Sequence, residues 1–123
     1  MPDSPLVLLV GHCGFDSGGL TAAAQRALPG AKVERVNSQD ALDGKKAPGA
    51  VLLVNRVLDG RFDASDGVDL IRKEAAKGEL KALLVSNFAQ SQAAAEEAGG
   101  LPGFGKDDVG TSVATDRIRA AAG

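Results

Sequence analysis

Three uninterrupted apolar runs punctuate the chain: Leu6 to Val10, Val51 to Val54 and Leu83 to Val85. Each is followed by polar or glycine-containing residues and then by an alanine-rich segment, which is the rhythm of β-α units. Runs without polar alternation predict strands covered on both faces, as in a parallel sheet held between helical layers. The pattern therefore predicts an α/β, doubly wound domain.

The first helix is expected from Ser17 or Gly18 through Leu20, Ala24 and Ala27 to Leu28, where Pro29-Gly30 stops it. Ala31 to Val36 alternates apolar with polar residues, fitting a strand nearer the sheet edge. Gln39 to Lys46 reads as a short helix broken by Gly44, and Pro48-Gly49 resets the chain before the third strand. A long loop, Arg56 to Ser65, precedes a helix over Asp66 to Ala76, whose Val68, Ile71 and Ala75 share a face. Leu80 to Ser86 is the expected fourth strand and Ala89 to Ala98 the fourth helix, ended by Gly99-Gly100. Leu101 to Phe104 and Asp108 to Ala122 complete five strands and five helices as one domain over residues 1–123.

Composition narrows the function. With 14 basic and 16 acidic residues the formal charge is −2, and no run of like charges suggests nucleic acid or an anionic membrane as partner. The densest basic spot, Lys45-Lys46, and the charges of Arg72-Lys73-Glu74 and Glu96-Glu97 read as solvated surface. One cysteine precludes an internal disulfide and suits a reducing compartment, so the expected location is cytoplasmic. Leu6 to Val10 is too short to span a bilayer and has neither a basic flank nor a clear cleavage site. Tyr and Trp are absent, which leaves an aliphatic core.

In open parallel sheets the chemistry gathers beyond the carboxyl ends of the strands. Those loops hold His12, Cys13, Asp16, Asn55, Arg56, Asp59, Ser86, Asn87 and Lys106, and the four Phe, at 15, 62, 88 and 104, lie in or beside them. That end of the domain is expected to be unusually apolar.

VLLVNRVLDG followed by DGVDLIRKEAAKG, KALLVSNF followed by AEEAGG, and PGFGK together resemble the receiver (CheY-like) domains of bacterial two-component response regulators over nearly the whole chain. The resemblance implies a flavodoxin-like fold with strand order 2-1-3-4-5 and helices on both faces. In that family the first strand ends in an acidic pair that binds magnesium, the third in the phosphorylated aspartate, the fourth in Ser or Thr and the fifth in Lys. Gly11 and His12 stand for the pair, Asn55 for the aspartate, Ser86 for the hydroxyl residue and Lys106 for the lysine. An amide is not the nucleophile that forms an acyl phosphate, and Gly with neutral His lacks the hard oxygen ligands of Mg²⁺. Asp107 also replaces the family's proline, Phe104 sits two rather than three residues before Lys106, and the loop after the third strand looks longer than usual.

Asn55 carries two readings. Its amide pairs with Ser86 or Lys106 to hold one state, or it ends a strand and caps a loop, as Asn commonly does. Lys106 reads either as the family's lysine or as a solvated lysine before a helix capped by Asp107 or Asp108.

The stretch GHCGFDSGG has a second resemblance, to the phosphocysteine loop of phosphotransferase-system IIB domains. Cys13, Gly14, Ser17, Gly18 and Gly19 would form an anion cradle there. Asp16 opposes it, because a carboxylate repels phosphate; otherwise Asp16 or Ser17 caps the first helix and Cys13 is small and semi-buried. His12 and Cys13 point to opposite sides of an extended segment, so they make a poor catalytic pair. A metal site needs more His or Cys ligands than the chain owns, unless Asp16 and Asp59 contribute.

The expected function is therefore a phosphorylation-independent, receiver-like regulatory domain, not an enzyme, with no cofactor or metal. Its expected partner is a protein or a second copy, met through the face of the fourth helix, fifth strand and fifth helix. Ala93, Ala94, Val113, Ala114 and Ile118 offer close approach on that face, with Phe88 and Phe104 near its rim. The alternative is a phosphoryl-transfer or anion-binding domain that uses the Cys13 loop.

Overall fold

The computed structural model describes residues 5–78 and 81–123. Five parallel strands form one sheet in the order β2-β1-β3-β4-β5, as the resemblance implies. The strands are β1 (Leu6–Val10), β2 (Lys32–Val36), β3 (Val51–Asn55), β4 (Lys81–Val85) and β5 (Leu101–Phe104). The helices between them are α1 (Gly14–Ala27), α2 (Gln39–Lys45), α3 (Gly67–Ala75) and α4 (Ala89–Glu97). A short 3₁₀ turn (Lys106–Asp108) then leads into α5 (Ser112–Ala122). The expected start of β4 at Leu80 lies outside the described residues.

The central strands are buried along their length because each face meets a different aliphatic layer. On one face Leu9, Leu53 and Leu83 pack with Leu20 and Ala24 of α1 and Ile118 of α5. On the other, Leu8, Leu52 and Leu84 pack with Leu42 of α2, Leu70 and Ile71 of α3 and Ala95 of α4. Each fully buried Leu or Ile contributes about 1.5–3 kcal/mol relative to exposure. β2 is an edge strand whose Lys32 and Arg35 are exposed, in keeping with its alternation. β5 is the other edge, where Pro102 removes no interior ladder bond.

The register slips between β4 and β5 around Leu83 and Val85. The Gln92 side chain fills the break, donating to the carbonyls of Leu84 (2.9 Å), Ser86 (3.0 Å) and Phe104 (3.2 Å). Those carbonyls would otherwise be left under-satisfied at a buried edge.

Several local expectations are corrected. α1 begins at Gly14, three residues before Ser17, with Cys13 as an N-cap whose side chain makes no capping bond. Neither Asp16 nor Ser17 caps it; Ser17 Oγ instead donates back to the Cys13 carbonyl at 2.8 Å. α5 is capped by Thr111, whose hydroxyl accepts from Val113 N at 3.2 Å, and Asp107 and Asp108 belong to the preceding turn. Glu74 is buried rather than solvated, because α3 presents Leu70, Ile71 and Glu74 to the core while Val68 and Ala75 are half-buried. Lys46 reaches it, at 3.2 Å, and also Asp43 at 2.9 Å, so this lysine is a bridge between α2 and α3 rather than loop surface. Its hydrogen bond to Asp43, with help from Glu74, holds its pKa well above the ordinary lysine value.

Candidate functional site

The carboxyl ends of β1, β3 and β4 bring Gly11, His12, Asn55 and Ser86 together, and the turn after β5 adds Lys106. Gly11 leaves β1 with φ +74, and a Cβ there would press on Leu58. Only glycine takes this bend without strain. The chain then turns His12 inward and Cys13 outward.

His12 is fully buried, and its Nε2 donates to the Leu53 carbonyl at 2.8 Å. A carbonyl only accepts, so Nε2 carries the hydrogen of the neutral ring and Nδ1 is an acceptor. Nδ1 is buried and has no partner among the described residues. Burial pushes the pKa of His12 down to about 4; the Leu53 bond opposes that shift and the nearby Lys106 charge adds to it. His12 is therefore uncharged at neutral pH and supplies no carboxylate-like ligand to a metal.

Asn55 is buried at the end of β3. Its Nδ2 donates to the carbonyls of Gly11 (3.0 Å) and Val57 (2.7 Å), which uses both amide hydrogens on backbone. The amide thus caps the loop after β3 and ties it to β1. The same Gly11 carbonyl also receives the Asp59 N-H at 2.9 Å. Asn37, at the end of β2, completes the latch by donating to the carbonyls of His12 (2.9 Å) and Asp59 (2.7 Å). A bridge between Ser38 and Arg61 holds the far side of the loop. Asn37 was not among the residues singled out in the sequence; an Asn just past a strand was the available signal.

Lys106 and Ser86 have partners of their own. Lys106 Nζ lies 3.3 Å from Asp16 Oδ2 of α1. Ser86 is buried and its Oγ accepts from Phe88 N at 3.1 Å, shaping the start of α4. Asn87 Oδ1 accepts from Asp107 N at 3.0 Å and joins the two neighbouring loops. Asn55, Arg56, Ser86, Asn87, Phe88 and Lys106 together line a cleft of about 210 Å³. Arg56 lies over the Phe88 ring, 4.8 Å from its centre.

The Cys13 segment has a different shape from the cradle its glycines suggest. Gly14 through Gly19 are the first turns of α1, with Ser17 N already bonded to the Cys13 carbonyl at 3.1 Å, so they do not form a loop around an anion. Cys13 is exposed rather than semi-buried. Among the described residues no group of three His, Cys, Asp or Glu side chains is placed to hold a metal ion. Of the four Phe, Phe15 and Phe88 are exposed at this end, while Phe62 is half-buried and Phe104 belongs to the core.

No protein-family model matches the chain, and no curated protein sequence matches it. Solved structures do. A response regulator from Colwellia psychrerythraea aligns with a TM-score of 0.66 and 15% identity, covering 98% of both chains. The receiver domain of NtrX from Brucella abortus aligns with a TM-score of 0.60 and 14% identity, covering 94% of this chain and 98% of that one. The RcsB response regulator of Salmonella typhimurium gives 0.65 and 17%, covering 92% of this chain, which spans 57% of that longer one. Strand order, helix placement and these alignments agree: the chain has the CheY-like fold of response-regulator receiver domains.

Proposed function

We propose that this is an atypical receiver-like domain of bacterial signalling, located in the cytoplasm, that regulates by protein-protein contact and without phosphorylation or catalysis. The observation that carries the reading is the engagement of both Asn55 amide hydrogens on backbone carbonyls. A strand end that would present a nucleophilic carboxylate in a receiver is here a structural clasp, and an amide forms no acyl phosphate. Lys106, held by Asp16, has no developing phosphoryl charge to meet.

The contact surface proposed is the face of α4, β5 and α5. Its exposed members are Ala93, Leu101 and Val113, with Phe88 above them. Ala114, Ile118 and Phe104, which the sequence suggested for the same surface, sit in the core and hold α5 and β5 to the sheet instead. A phosphocysteine function has less support, because Gly14 to Gly19 are helical and Asp16 adds a carboxylate beside them.

Incubation with acetyl phosphate and Mg²⁺ followed by intact-mass measurement tests the central reading: no acid-labile phosphate is expected, and stoichiometric labelling at Asn55 would overturn it. Light scattering and pull-down with wild type, Ala94→Glu and Val113→Glu test the surface. Loss of self-association or of a captured partner in folded variants is expected. A monomeric wild type that captures nothing removes that surface from the proposal.

A further inference from the structure

The cleft between the ends of β3 and β4 is lined by two cationic side chains, Arg56 and Lys106, and by no carboxylate. Its donors are largely uncommitted. Among the described residues Arg56 makes no ion pair and no hydrogen bond, only its contact with Phe88. Ser86 Oγ accepts from Phe88 N and leaves its own hydrogen without an acceptor, although the residue is only 4% exposed. Asn87 uses its carbonyl on Asp107 N, which leaves its NH₂ free. Lys106 is held only by Asp16, in a pair whose side chains are 42% and 33% exposed. Such pairs contribute about 0–1 kcal/mol, so the ammonium can turn to another anion at little cost.

Phe88 and Val85 add an apolar wall beside these donors. An aspartate at position 55 would put a negative charge in this space; the Asn55 amide, with its hydrogens turned to Gly11 and Val57, does not. We infer that the cleft is a non-covalent site for a small ligand carrying an oxyanion, a carboxylate or phosphate monoester, on a compact apolar body. The oxyanion meets Arg56, Lys106 and the Ser86 hydroxyl as charge-assisted hydrogen bonds, and the body lies against Phe88. Ligand binding then takes the regulatory place that phosphorylation holds in receivers, reaching α4 through Phe88, its N-cap. This inference rests on the phosphorylation-independent reading of Asn55.

The test is an amide NMR titration of the intact chain with benzoate, phenyl phosphate and uncharged benzyl alcohol at constant ionic strength. Saturable shifts at Arg56, Ser86, Asn87, Phe88 and Lys106 are expected with at least one of the two anions. Benzyl alcohol should bind about tenfold or more weakly, as expected for losing a charged contact. The preferred anion identifies the ligand as a carboxylate or a phosphate monoester. Arg56→Gln should weaken binding about tenfold, whereas Lys73→Gln, on the solvent side of α3, should not. No saturation by either anion at about 20 mM, weaker than any useful site, overturns the inference. Equal binding of benzyl alcohol, or unchanged affinity in a folded Arg56→Gln protein, does the same. A covalent mass gain that survives denaturation would instead remove the phosphorylation-independent reading, so the two failures are separable.

Discussion

The side-chain amide of Asn55 donates to the Gly11 carbonyl at 3.0 Å, a bond between the ends of β3 and β1 that an ionised carboxylate cannot make. Asn55→Asp therefore does not gain the contact with Lys106 that sequence alone suggested, since Lys106 is on Asp16. It places negative oxygen against the carbonyls of Gly11 and Val57. A loss of about 1–3 kcal/mol in urea unfolding at neutral pH is expected. The deficit should shrink as pH falls, because the protonated acid can donate again and its pKa is raised in the folded state. An equally stable or more stable variant would refute this geometry. Mg²⁺ affinity should remain absent, because Gly11 and His12 still supply no carboxylate.

His12 sets an acid limit on stability. Its folded pKa is lowered to about 4 from 6.5, so between those values the unfolded chain binds more protons than the folded one. Stability should therefore fall as pH drops below about 6.5, with a full cost of about 3 kcal/mol once pH is under 4. In His12→Phe this segment of the pH profile should flatten, measured by denaturation at a series of pH values. A wild-type profile that is level from pH 7 to 5 would contradict a neutral, buried ring.

Glu74 is 2% exposed and meets Lys46 at 3.2 Å and Lys77 at 3.1 Å. Replacing Lys46 by Met removes one of two partners from a buried carboxylate and should cost about 1–3 kcal/mol. Glu74→Gln made together with Lys46→Met should recover part of that loss in a double-mutant cycle, because the stranded charge is gone. Strict additivity would mean that the two side chains do not interact in solution.

Two glycines should respond in opposite ways. A Cβ at Gly67 would collide with the Asn55 carbonyl oxygen, since α3 starts directly against the end of β3. Gly67→Ala should lower stability by more than about 2 kcal/mol. Gly18, inside α1, has nothing within 4 Å of its Cβ direction. Gly18→Ala should raise the melting temperature through helix propensity, by about 0.5–1 kcal/mol. Similar effects at the two sites would show that backbone crowding at Gly67 is relieved by movement of the loop.

The sheet was legible in the sequence because continuous apolar runs at 6–10, 51–54 and 83–85 can be buried on two sides only in a helix-flanked parallel layer. Helix existence was legible for the same reason, whereas helix starts were not. Cys13 and Thr111 begin α1 and α5 through backbone geometry, and stronger capping residues stand one to four positions away. The replacement of a strand-end carboxylate by Asn55 is a fact of sequence; where its amide points is not. That was decided by the loop after β3, which folds across β1 and β2 and presents the carbonyls of Gly11 and Val57 to the amide. Likewise Asp16 meets Lys106 across 90 residues of chain, and Arg56 meets Phe88 only because β3 and β4 end side by side. Periodicity records which side of an element faces the core. It carries no term for contacts between loops distant in sequence, and those contacts decide which charges in this domain are paired and which remain open to a ligand.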